Sequence, residues 1–155
     1  MANPLHVIIT GAGLAGPALA IALAEQSIRS TILERRPSSQ DIGGVIMLAP
    51  NAMHVMEDLL HIGDRLRNLG DTFKAINLYT KGSTGLDKVG GFVVEDKGVR
   101  GLTIARPVLH RELLRQCEEM SDKIKVRYNA ELEYIKEDED GCSAILKNGD
   151  VVRGE

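Results

Sequence analysis

Apolar and polar positions change rhythm several times along the chain. Residues 5–9 (LHVII) form a short run rich in β-branched side chains, which predicts a buried strand. Residues 18–26 are rich in Ala and Leu and predict a helix with a small-residue face. Residues 30–33 read as a second buried strand. Val45 to Leu48 reads as a short extended segment, and Pro50-Asn51 opens a helix. Its apolar stripe is Ala52, Val55, Met56, Leu59 and Leu60, with Gly63 as the expected stop. Residues 75–80, 91–94 and 101–105 predict strands, with the exposed loop KGSTGLDKVGG (81–91) between the first two. From Arg106-Pro107 a longer helix follows, burying Leu109, Leu113, Cys117 and Met120 at helical spacing, with Arg111 and Arg115 solvated. Residues 125–129 read as a third parallel strand. Residues 131–137 and 142–147 read as an antiparallel pair, and Val151-Val152 as a third meander strand after the Asn148-Gly149 turn.

The first two predicted elements sit in VIITGAGLAGPALAIALA, residues 7–24, which has no charged residue. A membrane helix needs about 20 uninterrupted apolar residues. Gly11, Gly13, Gly16 and Pro17 break this run in its middle. A secretion signal needs a basic start, and residues 1–4 carry none. The better division is strand, tight turn, helix, with Gly11-x-Gly13-x-x-Gly16 as the turn. In that arrangement Gly11 permits the sharp bend. Gly13 lets the backbone approach a pyrophosphate, and Gly16 lets the helix pack close to the sheet. Amides at the helix start then face the anion. Glu34 closes the second strand, 21 residues after Gly13. A carboxylate there suits the two ribose hydroxyls of an adenosine and repels a 2′-phosphate, which disfavours NADP at this position. Arg35 would lie near the adenine or the pyrophosphate.

Composition narrows the field. The chain has 155 residues, 43 % hydrophobic and 26 % charged, enough for one globular core. A net charge of −3 gives no electrostatic case for nucleic acid or anionic lipid. Aromatics at 3 % argue against stacked bases or sugars. Cys117 and Cys142 do not form a CxxC pair, and the four histidines are scattered, so no metal site is expected.

GxGxxG with a distal Glu fits FAD and NAD alike. Three segments choose between them by likeness: GAGLAGPALAIALAEQSIRSTILERR, GGVIMLAPNAMHVMEDLLHIGDRL and IARPVLHRELLRQ. In order and spacing the chain resembles the N-terminal part of the FAD-dependent monooxygenases of the p-hydroxybenzoate hydroxylase type. The resemblance implies an α/β, Rossmann-like FAD/NAD(P)-binding domain with a β-meander. It implies a nucleotide-binding part at 1–70 and 102–155, and an excursion into strands of the substrate-domain sheet at 71–101. FAD would be the cofactor and NAD(P)H the co-substrate, with oxygen hydroxylating or epoxidising an organic small molecule. Gly11, Gly13, Gly16, Glu34 and Arg35 would hold the adenosine diphosphate end. The backbone of Gly43, Gly44 and Met47 would run past the flavin, and Arg106 would contact the ribityl-pyrophosphate. Val45 stands where the family carries a small residue, and Ser27 where the first helix usually ends in Gly. No catalytic acid, base or nucleophile is expected in this chain.

By the same likeness the chain resembles the first third or so of such an enzyme, an incomplete domain. The expectations are an open sheet edge, weak or absent FAD binding by the chain alone, self-association, and a cytoplasmic location. The alternatives are a fragment of an NAD-dependent dehydrogenase and a non-catalytic nucleotide-binding or interaction module.

Overall fold

The computed structural model describes residues 5–39, 43–83, 85–139 and 141–155. Thr84 of the predicted loop and Asp140 of the predicted meander turn lie outside the described residues. The first segment gives β1 (His6–Thr10), α1 (Ala15–Glu25), β2 (Arg29–Leu33) and β3 (Val45–Leu48). Then come α2 (Pro50–His54), running into a π-helical turn (Val55–Leu59), and α3 (Gly63–Arg67). Five strands follow: β4 (Asp71–Phe73), β5 (Ala75–Lys81), β6 (Leu86–Val93), β7 (Glu95–Asp96) and β8 (Val99–Ala105). Last are α4 (Arg106–Glu119), β9 (Ile124–Arg127), β10 (Leu132–Asp138), β11 (Gly141–Leu146) and β12 (Val151–Gly154).

The chain divides into two units, residues 1–42 with 109–155 and residues 43–108. In the first unit, β1, β2 and β9 form a parallel sheet in the order β1-β2-β9. Ser30, Thr31, Ile32 and Leu33 are all buried, as expected of a strand covered on both faces. Helix α1 makes the crossover between β1 and β2 and buries Pro17, Ala20, Ile21 and Ala24, an i, i+3, i+4, i+7 stripe of mostly small side chains. Its C-terminus closes as a Schellman turn. The Ser27 N–H donates to Ala24 O and the Ile28 N–H to Leu23 O, with Ser27 in the left-handed region at φ 61°.

Helix α4 buries Leu109, Leu113 and Cys117 as the spacing predicts, and also His110, Glu112 and Leu114. The meander β10-β11-β12 is antiparallel. Leu33, Ala130, Ala144, Leu146 and Val152 pack together, with Ile8 and Leu132 against them. This core ties the meander to the parallel sheet.

In the second unit, β8 pairs with β3 on one side and β4 on the other, and β7 adds a short pairing at its start. Strands β5 and β6 form a separate antiparallel hairpin. Two expectations are corrected here. Residues 86–91 are strand rather than loop, because β5 pairs with them along its length. Gly63 does not stop the α2 helix; it opens α3, and His61 at φ 55° makes the break. A Cβ on Gly63 would meet Glu57 Cγ at 2.2 Å, so close packing explains the glycine. The π turn, with the Leu60 N–H donating to Val55 O, shifts the phase of the stripe. Met53, Met56 and Leu60 are buried, while Val55 and Leu59 are 43 % and 38 % exposed.

Candidate functional site

The turn between β1 and α1 has the mechanics the glycines require. Gly11 takes φ 97° and donates its N–H to Leu33 O at 2.7 Å, so the turn is anchored to the end of β2. A Cβ on Gly16 would sit 2.0 Å from Gly11 O, so no side chain fits there. A Cβ on Gly13 would meet no atom within 4 Å. The fold itself therefore has room for a side chain at Gly13, and the open space is what a ligand approaching that backbone would occupy. Helix α1 starts with Leu14 as N-cap, without a side-chain cap and without an acidic residue in its first turn. Its positive end is left for an external anion.

Glu34 stands one residue past β2, where its carboxylate reaches the turn. Oε2 accepts from the Ala12 N–H at 2.9 Å and Oε1 from the Arg36 N–H at 3.0 Å. Partial burial raises its pKa, but the N–H groups of Arg36 and Ala12 and the charges of Arg36 and Arg35 outweigh that. The carboxyl is held below its ordinary value and stays ionised at neutral pH. Each oxygen of a carboxylate offers two acceptor directions, so both can still receive hydroxyl protons. Beside it lies a cleft of about 340 Å³ lined by Thr10, Gly11, Leu33, Glu34, Arg35 and residues 130–132. Its rim is set by the chain leaving β9: the Ala130 N–H donates to Glu34 O and the Asn129 N–H to Arg36 O, with Asn129 left-handed at φ 53°. The turn, the acidic residue and an apolar floor thus converge, and together they fit an adenosine diphosphate.

In the second unit the structure brings Gly43, Gly44 and Arg106 together. The Arg106 N–H donates to Gly44 O at 2.8 Å, and a Cβ on Gly43 would meet Arg106 Cδ at 2.7 Å. Gly43 also takes φ 125°. Arg106 is the first residue of α4. The cause is strand pairing: Ala105 closes β8 opposite Val45, and the helix begins at the next residue. Val45 and Met47 project from the same face of β3, 71 % and 60 % exposed.

One residue of the first site was illegible in the spacing. His110 is 8 % exposed, and its Nε2 lies 2.5 Å from Ala12 O, ninety-eight positions away in sequence. Its only local signal is adjacency to Leu109 on the inward face of α4. Cys117, also buried on α4, donates its thiol toward Pro17 O, and burial pushes its pKa up to about 12. It is an inert packing residue at neutral pH. Among the described residues there is no group of three or more His, Cys, Asp or Glu that could hold a metal, and no helix is long and apolar enough to cross a membrane.

The comparisons agree with one another. The family model "FAD binding domain" matches residues 4–154. The chain is 32 % identical over 153 residues to 3-hydroxybenzoate 6-hydroxylase 1 of Aquipseudomonas alcaligenes, covering 96 % of this chain and 38 % of that protein. It is 32 % identical over 123 residues to the 2-heptyl-3-hydroxy-4(1H)-quinolone synthase of Pseudomonas aeruginosa, covering 79 % of this chain and 31 % of that one. The chain thus spans about two fifths or less of the curated relatives it matches. In fold it superposes on P. aeruginosa PqsL with a TM-score of 0.81 at 21 % identity, over 97 % of this chain and 41 % of the other. A tetrameric form of 2-methyl-3-hydroxypyridine-5-carboxylic acid oxygenase gives 0.78 at 20 %, over 98 % and 38 %. These matches do not favour the dehydrogenase alternative. With an amide-rich turn, an ionised carboxylate at the end of the second strand, and a family match over nearly its whole length, the chain belongs to the FAD-binding domain family of the flavin-dependent hydroxylase-type monooxygenases.

Proposed function

We propose that this chain is the FAD-holding portion of a monooxygenase that hydroxylates or epoxidises a small organic molecule with NAD(P)H and oxygen. The observation that supports it most is the junction at Ala12. There the glycine turn and Glu34 are joined by a hydrogen bond, and Gly11 and Glu34 line the 340 Å³ cleft beside it. FAD, when bound, supplies the electron transfer and oxygen activation that no side chain supplies.

The chain's own residues bind and orient. The turn Gly11 to Gly16 receives the pyrophosphate on backbone N–H groups. Glu34 accepts the ribose hydroxyls on its free acceptor directions, and Arg35 adds positive charge at the adenine side. Gly43, Gly44 and Met47 lie along the flavin end, and Arg106 pairs with the ribityl-pyrophosphate. No residue here is assigned as catalytic acid, base or nucleophile. Residues 71–101 belong to the substrate-domain sheet, and 1–70 with 102–155 to the nucleotide-binding part. The names of the relatives, a hydroxybenzoate hydroxylase and a quinolone synthase, support a small aromatic substrate. The location is cytoplasmic. Strand β1 pairs with β2 on one side, and its other side, where His6 O accepts from the Glu155 N–H at the start of the strand, would be the edge for self-association.

The test is a titration of the purified chain with FAD, followed by flavin fluorescence and the visible spectrum. The expected result for the chain alone is a weak flavin response that excess ADP reverses. NAD binding without any flavin response would restore the dehydrogenase reading.

A further inference from the structure

We infer that His110 is a positioning residue for the cofactor's pyrophosphate: it holds the Ala12 carbonyl so that the next amide, that of Gly13, is aimed at the phosphate. The inference deepens the FAD reading and rests on it. A carbonyl oxygen only accepts, so the contact between His110 Nε2 and Ala12 O at 2.5 Å requires the proton on Nε2. The peptide joining Ala12 to Gly13 is trans, since the described chain has no cis bonds. In a trans planar peptide the C=O and the following N–H point in opposite directions. Drawing the Ala12 oxygen inward onto the ring therefore turns the Gly13 N–H outward.

The neighbouring peptide is fixed as well. The Ala12 N–H donates to Glu34 Oε2 at 2.9 Å, so both polar groups of Ala12 are tied, one by the residue after β2 and one from α4. What remains unfilled is the space over Gly13, where a Cβ would meet nothing within 4 Å. A hydrogen bond that only stabilised the turn could be made at any of its carbonyls. This one is made at the carbonyl of the peptide that carries the Gly13 N–H, next to that open space. Holding the amide in place before the ligand arrives lowers the ordering cost of binding.

The test uses the parent chain, His110→Phe and His110→Gln. Phe keeps the ring and removes the donor; the Gln amide N–H stands in for Nε2–H. Dissociation constants for ADP are read from amide shifts of Gly11 to Gly16, and thermal unfolding is followed without ligand. The expected result is about tenfold weaker ADP binding by His110→Phe, and return to within about twofold of the parent in His110→Gln. The ¹⁵N shifts of the ring in the parent chain should show a proton on Nε2. This readout needs no variant to fold. A parent chain that responds to ADP together with an equally tight His110→Phe would overturn this inference and leave the FAD reading standing, as would a ring protonated on Nδ1 alone. A folded parent chain with no ADP response at Gly11 to Gly16 would overturn the FAD reading, and this inference with it.

Discussion

At residue scale, Gly13 and Gly16 separate ligand room from packing. Gly16→Ala forces a Cβ into Gly11 O and should cost ~1–3 kcal/mol of stability, seen as a lower unfolding midpoint in denaturant. Gly13→Ala meets nothing in the fold. It should leave stability within about 0.5 kcal/mol of the parent while sharply weakening ADP and FAD binding. Ser27 sits in the left-handed position of a Schellman turn that favours glycine. Ser27→Gly should raise stability by ~0.5–1 kcal/mol in a thermal or urea melt. Glu34 gives a pH dependence with a definite sign. Its folded pKa lies below 4.5, so its contribution to stability is present above that value and is lost as pH falls through the folded value. Melting temperatures measured from pH 7 down to about 3 should fall in the parent, and Glu34→Gln should show a shallower fall. Gly11, Gly13, Gly16 and Glu34 were legible because their signal is spacing along one strand-turn-helix-strand unit. His110 was not, because a contact spanning ninety-eight positions leaves no periodic trace.

Elements were legible to different depths. Strand β1, helix α1 and strand β2 follow from β-branched and Ala/Leu runs cut by glycines, and β10 to β12 from alternation around Gly141 and Asn148-Gly149. The start of α1 lies three residues earlier than its Ala/Leu run, since helical geometry accepts Gly16 and Pro17 in the first turn. The π turn escaped notice because Ala52, Val55, Met56, Leu59 and Leu60 satisfy a regular 3.6-residue period. Only the i−5 hydrogen bond from Leu60 to Val55 reveals that one extra residue has rotated Val55 and Leu59 outward. Only the end of strand β6 was legible, as the strand at 91–94: residues 86–90 read as loop, yet they pair with β5, and Gly91 leaves no room for a side chain, since a Cβ would meet Ile76 O at 2.8 Å across the hairpin. Helix α4 carries the clearest energetic expectation. Leu113 is 1 % exposed, so Leu113→Ala should cost ~2–5 kcal/mol, measured by denaturant unfolding of the ligand-free chain.

For the whole molecule, the strands of the parallel sheet and of the meander were readable from local patterns, while the α/β, Rossmann-like class came from the family resemblance and the order β1-β2-β9 from the structure. The pairing of β8 between β3 and β4 was not readable, because it is fixed by partners rather than by the strands' own residues. The most direct measurement of the central claim is the amide spectrum of the ¹⁵N-labelled chain with and without ADP. Shifts concentrated at residues 11–16, 33–35 and 130–132 are the predicted result. A folded chain whose spectrum does not change there on saturation with ADP, or changes only elsewhere, would contradict it.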